Sequence, residues 1–473
     1  MLTAFKKIEY KWIVAVIFVA GLFLEILDTT IVNVAIPTLE KEFGATRASM
    51  EWVVLGYLLS LAIWIPASGW IGDKIGTKKT FLFALMIFTI ASALCGQAHS
   101  LGELVAFRIL QGVGGGMLTP VGTTMLFRAF PPAERARAST VLMIPIVVAP
   151  ALGPIVGGLL IDSLSWRWIF YVNVPLGILG FLFGLFMLKE SKEPSAGRFD
   201  IRGFLLSGVG LAGILYALSQ APEKGWTASS VLITGLGGIL FIVLLAVVEM
   251  KIDEPMIAFR LYRDRMFRSS NMVNSLSYGS FIAFLFIFPQ MIQSLMEYSA
   301  LQSGLASFPQ ALGVILASQY VGKLYHTVGP RRLVAIGLTM VTVSSLPFVF
   351  VTMTTSLWTI QASMFFRGIS MAFSLVPLQA CTYSTISNAD TGRASAIFST
   401  QRQASAALGV ALLSTVFISR EHHLLSGGAQ DVTAALGGYQ LAFAVSSAFT
   451  LLGAIYAFFM IHDEDAAATM VPR

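Results

Sequence analysis

Apolar residues along this chain gather into repeated runs of roughly 20 positions, the length that ~30 Å of hydrocarbon requires of a helix rising ~1.5 Å per residue. Fourteen such runs are predicted, from Lys11–Pro37 to Tyr439–Ile461, with the fifth at Arg137–Ile161 and the tenth at Gln302–Gly322. Two of the polar stretches between them are longer than the rest: Lys189–Arg202, with Pro194, Ser195 and Gly197, and Lys251–Arg268, with Pro255. They bracket a pair of plain apolar runs. The pattern predicts an all-α integral membrane protein, with residues 1–190 as one six-helix bundle, 191–264 as a linker carrying two extra helices, and 265–473 as a second six-helix bundle.

Composition agrees. Of 473 residues, 56% are hydrophobic and only 12% charged, against about 25% charged in soluble proteins. Of the 31 Lys and Arg, 23 fall on the side of the N-terminus, five on the other and three inside predicted helices. The excess marks the N-terminal side as cytoplasmic and predicts a multi-pass protein of the inner membrane with both termini inside. It also accounts for the net charge of +6 without a nucleic-acid partner. Lys6 and Lys7 precede the first run as in a signal peptide, but that run is too long and carries Glu25 and Asp28, so it reads as a retained helix.

Cys95 and Cys381 sit in separate apolar runs and form neither a disulfide pattern nor a metal-ligand spacing. His422 and His423 adjoin in an external loop and read as solvated. With no GxxxxGK[ST] phosphate loop, ATP is not the expected energy source, and no metal or cofactor is expected.

A faint internal echo joins the two sixes. Gly322, Lys323 and Leu324, followed by Gly329, Pro330, Arg331 and Arg332, repeat the layout of Gly69 to Lys79, as a parallel duplication would leave behind. Asp73 of the first copy is His326 in the second, so the two loops are predicted to differ chemically.

Inside the apolar runs, ionisable side chains are expensive and mark function or a buried partner. Glu25 and Asp28 are three apart, on one helix face. Burial disfavours a charged carboxylate and a nearby cation favours it, so a carboxylate at a cavity can load and lose a proton. Asp28 reads either as a proton-coupling group or as a structural partner of Arg108. Arg108 in turn either tunes that carboxylate or ties two helices. Arg367 and Arg402 pose the same problem in the second half. Gly153 and Gly157 make a small-xxx-small spacing, and with Pro154 they suggest a tightly packed, bent helix. Asn33, Gln111, Asn274, Tyr278, Gln379 and Arg402 are candidates to line a cavity.

Several segments together resemble the major facilitator superfamily, and within it the fourteen-helix drug:proton antiporters. Leu27-Asp28-Thr29-Thr30-Ile31-Val32-Asn33-Val34-Ala35-Ile36-Pro37 resembles that subfamily's first-helix signature, and Gly69 to Lys79 the superfamily loop between helices two and three. Arg108-Ile109-Leu110-Gln111-Gly112 is similar to the helix-four motif. Ala149 to Gly158 resembles the helix-five motif of antiporters, which favours export over uptake. Trp166 to Pro175 and Ser399 to Gln403 look like further subfamily marks.

The resemblance implies two bundles around a path open to each side in turn, with protons entering as a lipophilic or amphiphilic small molecule leaves. It implies coupling at Asp28 and a latch in which Asp73 meets Arg393. Glu25 falls outside the matching segment and reads as a second coupling-site carboxylate that attracts cationic substrate, Arg108 as the group that tunes the pair, and the bend at Gly153, Pro154 and Gly157 as a gate. Expected partners are substrate, protons and the lipid bilayer, the protein acting as a monomer or with envelope proteins. Other readings are export of a lipid, siderophore or metabolite, proton-driven uptake, and a membrane sensor that transports nothing.

Overall fold

The computed structural model describes residues 9–45, 47–193, 198–252 and 255–470. Lys6, Lys7, Pro194, Ser195, Gly197 and the side chain of Pro154 lie outside what is described. Helices account for the described elements, with no strand among the described residues. The first six predicted runs correspond to α1 (Tyr10–Phe43), α2 (Arg47–Ile75), α3 (Thr77–Gln97), α4 (Leu101–Ala129), α5 (Arg135–Ser163), and α6 (Trp168–Tyr171) leading into α7 (Asn173–Met187). The insert pair is α8 (Ile201–Lys224) and α9 (Ser229–Glu249). The rest are α10 (Arg265–Gln290), α11 (Ala300–Val328), α12 (Pro330–Val349), α13 (Leu357–Thr382), α14 (Thr391–Ser426), α15 (Asp431–Met460) and the terminal turn α16 (Ala467–Met470).

Among the described residues, 12 helical stretches are long and apolar enough to cross a membrane. Helices α5 and α11, 29 residues each, occupy the positions of the fifth and tenth predicted runs. Helix α11 falls short because it carries Gln302, Ser303, Ser307, Gln310, Ser318 and Gln319, whereas the sequence of α5 is apolar from Val141 to Ile161. The predicted fourteen is compatible with this set.

The chain forms two compact units. Unit 1 holds Met1–Ala212, Gly238–Leu261 and Ile386–Thr400; unit 2 holds Gly213–Gly237, Tyr262–Thr385 and Gln401–Arg473. Helices α8, α9 and α14 are therefore each divided between the two.

Glycine sets the helix spacing in unit 1. A Cβ on Gly112 would lie 2.5 Å from the Tyr57 carbonyl oxygen, one on Gly114 2.6 Å from that of Ala84, and one on Gly116 2.6 Å from that of Leu61. Backbone contact of α4 with α2 and α3 is what such residues permit in lipid, where apolar side chains gain nothing by leaving the hydrocarbon. In unit 2 glycines do the same, Gly313 and Gly368 bringing α11 and α13 into backbone contact, and an aromatic cluster packs as well: Phe284 lies 5.0 Å from Phe443 and 5.1 Å from Phe348, centroid to centroid. Offset and edge-on rings of this kind add about 0.5–1.5 kcal/mol per pair.

The internal echo has a structural counterpart. Gly76 and Gly329 both take positive φ, 118° and 84°, at the turn before α3 and α12 respectively. In each unit a carboxylate covers the glycine and caps the helix that follows. Glu190 accepts from the Lys78 and Lys79 amides at 3.0 and 3.3 Å, and Asp463 accepts from the Arg331 amide at 2.9 Å. Both carboxylates stand where an added Cβ would go, and both follow the last long helix of their bundle. Free N–H groups and the helix dipole favour an anion there. The predicted asymmetry is also present: Asp73 is buried in an ion pair, while His326 meets the Met470 carbonyl at 3.2 Å.

Candidate functional site

Four helices of unit 1 converge on Asp28. The α1 carboxylate is fully buried and takes three donors. Arg108 Nη1 of α4 reaches Oδ2 at 2.5 Å, while Gln111 Nε2 of α4 and Asn173 Nδ2 at the start of α7 reach Oδ1 at 2.9 and 2.8 Å. A second shell fixes the donors. Arg108 also donates to Gln111 Oε1 at 2.6 Å and to the Val53 carbonyl at 3.1 Å, and its guanidinium lies 4.3 Å from the centre of the Tyr57 ring. Asn173 also donates to Ser92 of α3 at 3.0 Å.

The local sequence explains the convergence. Arg108 and Gln111 are three apart on α4 and so share a face, and Gly112 and Gly115 let α2 and its Tyr57 approach that face closely. A charge pair this deep persists because each partner compensates the other; removing one costs about 3–5 kcal/mol. Glu25, one turn before Asp28, is half-buried and accepts from Thr119 of α4 at 2.7 Å. The sequence paired Arg108 with the helix-one carboxylates. It gave no role to Asn173, and it placed Gln111 in a cavity, whereas Gln111 is fully buried in this network.

At the turn between α2 and α3 in unit 1, Asp73 of α2 is 3% exposed and pairs with Arg128 of α4 at 2.7 Å. The sequence placed Arg393 opposite Asp73. The direct partner is Arg128, because the last turn of α4 runs alongside the end of α2. Arg393 lies 3.9 Å from Asp390 and acts on Asp73 from farther away. Arg128 Nε also donates to the Asn388 carbonyl at 3.2 Å, and a Cβ on Gly392 would lie 2.6 Å from Asp73 Oδ2. The first turns of α14 are thus seated on this pair, and Ser395 Oγ adds a bond to the Pro120 carbonyl at 2.7 Å.

Gly153 and Gly157 are buried on α5, and Gly153 faces Thr30 of α1. Pro154 falls inside the same helix. Asn33 is exposed.

In unit 2, Asn274 and Gln379 are buried, and the Asn274 amide nitrogen has no hydrogen-bond partner among the described residues. The Arg402 guanidinium lies 4.1 Å from the centre of the Tyr278 ring. Next to it Gln401 donates to the Asn271 carbonyl at 3.0 Å and to Ser275 at 2.5 Å, tying α14 to α10. Arg367 of α13, 1% exposed, is the counterpart of Arg108 in kind but not in partner. It donates to Gln310 at 2.9 Å and Ser345 at 3.2 Å and lies 3.7 Å from the centre of the Phe284 ring. An aromatic face takes the place that Asp28 holds in unit 1.

Residues 18–410 match the family described as the Major Facilitator Superfamily. The chain is 31% identical over 410 residues to the multidrug export protein EmrB of Escherichia coli (strain K12), covering 85% of this chain and 79% of that one. It is 33% identical over 402 residues to a multidrug resistance protein B homolog of Mycobacterium tuberculosis (strain H37Rv), covering 84% and 74%. Two solved structures share its fold at TM-score 0.66: the human organic anion transporter MFSD10, 16% identical and covering 94% of this chain and 99% of that one, and the proton:xylose symporter XylE, 15% identical and covering 97% of each.

Proposed function

The chain belongs to the Major Facilitator Superfamily, and from that membership we propose that it is a secondary transporter that exports lipophilic or amphiphilic small molecules in exchange for protons. The multidrug names of its relatives and the antiporter-like segment Ala149 to Gly158 support export over uptake. No catalytic chemistry is required of it.

The observation that carries the coupling is the donor set of Asp28. Two amides fill Oδ1 and a guanidinium takes one side of Oδ2, so a proton bound at Oδ1 displaces a donor and one bound at Oδ2 removes the charge that Arg108 compensates. Protonation and the local arrangement of α1, α4 and α7 are then linked, which is what a coupling group needs. Arg108 compensates the charge of Asp28, and Glu25 is a second carboxylate one turn away. The Asp73–Arg128 pair with Gly392 serves as the cytoplasmic latch, and Arg393 adds positive charge to it. Gly153 and Gly157, with Pro154, form the close-packed part of α5 that shifts against Thr30. Asn33, Asn274, Tyr278, Gln379 and Arg402 remain the candidates for substrate contact. The protein sits in the cytoplasmic membrane with both termini inside, alone or with envelope partners.

Purified protein in proteoliposomes, given an imposed pH gradient and a fluorescent lipophilic cation, tests this. Uphill dye movement that a protonophore abolishes is expected. Dye movement that ignores the gradient, or none for any lipophilic compound, would contradict it.

A further inference from the structure

We propose that Asp200 and Glu249 form a second proton-binding site, separate from Asp28, in which the two carboxyl groups share one proton and clasp the cytoplasmic ends of the insert helices α8 and α9.

Glu249 ends α9 and is 3% exposed. Its Oε2 accepts from the Ile257 amide at 2.8 Å, while Oε1 is buried with no hydrogen-bond partner among the described residues. Asp200 precedes α8, with Oδ1 capping the Gly203 amide at 2.9 Å and Oδ2 likewise buried without a partner among the described residues. The two unpartnered oxygens meet over Gly203, where both stand in the space a Cβ would fill. Glycine is what lets them converge.

Two acceptor oxygens in a shared buried space, both ionised, would repel and leave two lone-pair faces unsatisfied. One proton between them supplies the missing donor and leaves a single charge on the pair. Among the described residues, the groups acting most strongly on the Glu249 carboxyl are Asp200 and the Ile257 and Met256 amides, with no cation among them. Arg198, Arg202 and Lys251 on the same stretches are exposed, and Arg198 makes an interaction of its own. Among the described residues the site offers these two carboxylates and no third metal-ligating side chain. The clasp holds three pieces at once: the entry to α8, the exit of α9 and, through Ile257, the segment leading to α10.

Infrared spectra of the full-length protein in lipid at neutral pH test the assignment directly. A carboxylic-acid C=O band is expected that Glu249→Gln removes and Asp28→Asn leaves in place. Asp200→Asn reads the same band should Glu249→Gln fail to fold, since one proton serves both oxygens. Thermal unfolding against pH gives a second readout. A folded state that keeps a proton the unfolded chain releases loses stability as pH rises. Asp200→Asn, whose amide donates where the proton stood, should flatten that slope, and Asp200→Ala should not. A band that survives both Glu249→Gln and Asp200→Asn, a wild-type slope in Asp200→Asn, or a band that sodium abolishes would overturn the proposal.

Discussion

Arg108 Nη1 donates to Asp28 Oδ2 across 2.5 Å, and neither side chain is more than 1% exposed. Each charge is therefore the other's main compensation. Arg108→Gln should destabilise the protein by about 3–5 kcal/mol, because it leaves Asp28 with only neutral donors in an apolar surround. The double variant Asp28→Asn/Arg108→Gln should recover much of that loss, since no buried charge remains. Thermal unfolding of the two single variants and the double variant in one detergent measures the coupling energy. Additive losses would mean that the pair does not act as a unit.

The latch reading makes Gly392 as informative as Asp73. A Cβ on Gly392 would meet Asp73 Oδ2 at 2.6 Å, so Gly392→Ala should push the carboxylate away from Arg128. Both Asp73→Asn and Gly392→Ala should slow turnover several-fold with little change in equilibrium substrate affinity, because they alter the balance of states rather than the cavity. Transport rates and binding isotherms for the two variants check this. A large loss of affinity at normal turnover would count against a latch.

Topology follows from the placement of basic residues. Single cysteines at Ser426 should label from outside, and those at Lys192 and Lys251 only from the cytoplasm. The native Cys95 and Cys381 are buried and give little background. Labelling of Ser426 and Lys192 from the same side would contradict the orientation.

The sequence reading and the structure diverge where a contact depends on chain segments far apart in number. Run length and loop charge made the helices legible, and a lone arginine beside lone carboxylates made the Asp28–Arg108 pair legible, since charges in hydrocarbon must find each other. Asn173 gave no such signal: it is uncharged, 145 residues from Asp28, and its amide is placed only by the short turn α6 that precedes α7. Arg128 lies with Arg135 and Arg137 between two apolar runs, where basic residues are ordinary loop charge, so nothing sets it apart from its neighbours. Gln111 looked like a cavity residue for want of its partner. The Asp200–Glu249 contact was hidden for another reason, because each carboxylate sits at a polar boundary where an exposed acid is ordinary.

The claim that Asp28 couples protons to export is tested most directly by Asp28→Asn in proteoliposomes, with folding confirmed by substrate binding. Asparagine keeps an acceptor for Arg108 but cannot take up and release a proton. Gradient-driven accumulation of substrate should be lost, while exchange of substrate across the membrane without a gradient persists. Uphill transport by Asp28→Asn with the wild-type pH dependence would contradict the account, leave Asp28 as a structural partner of Arg108, and turn the search to Glu25.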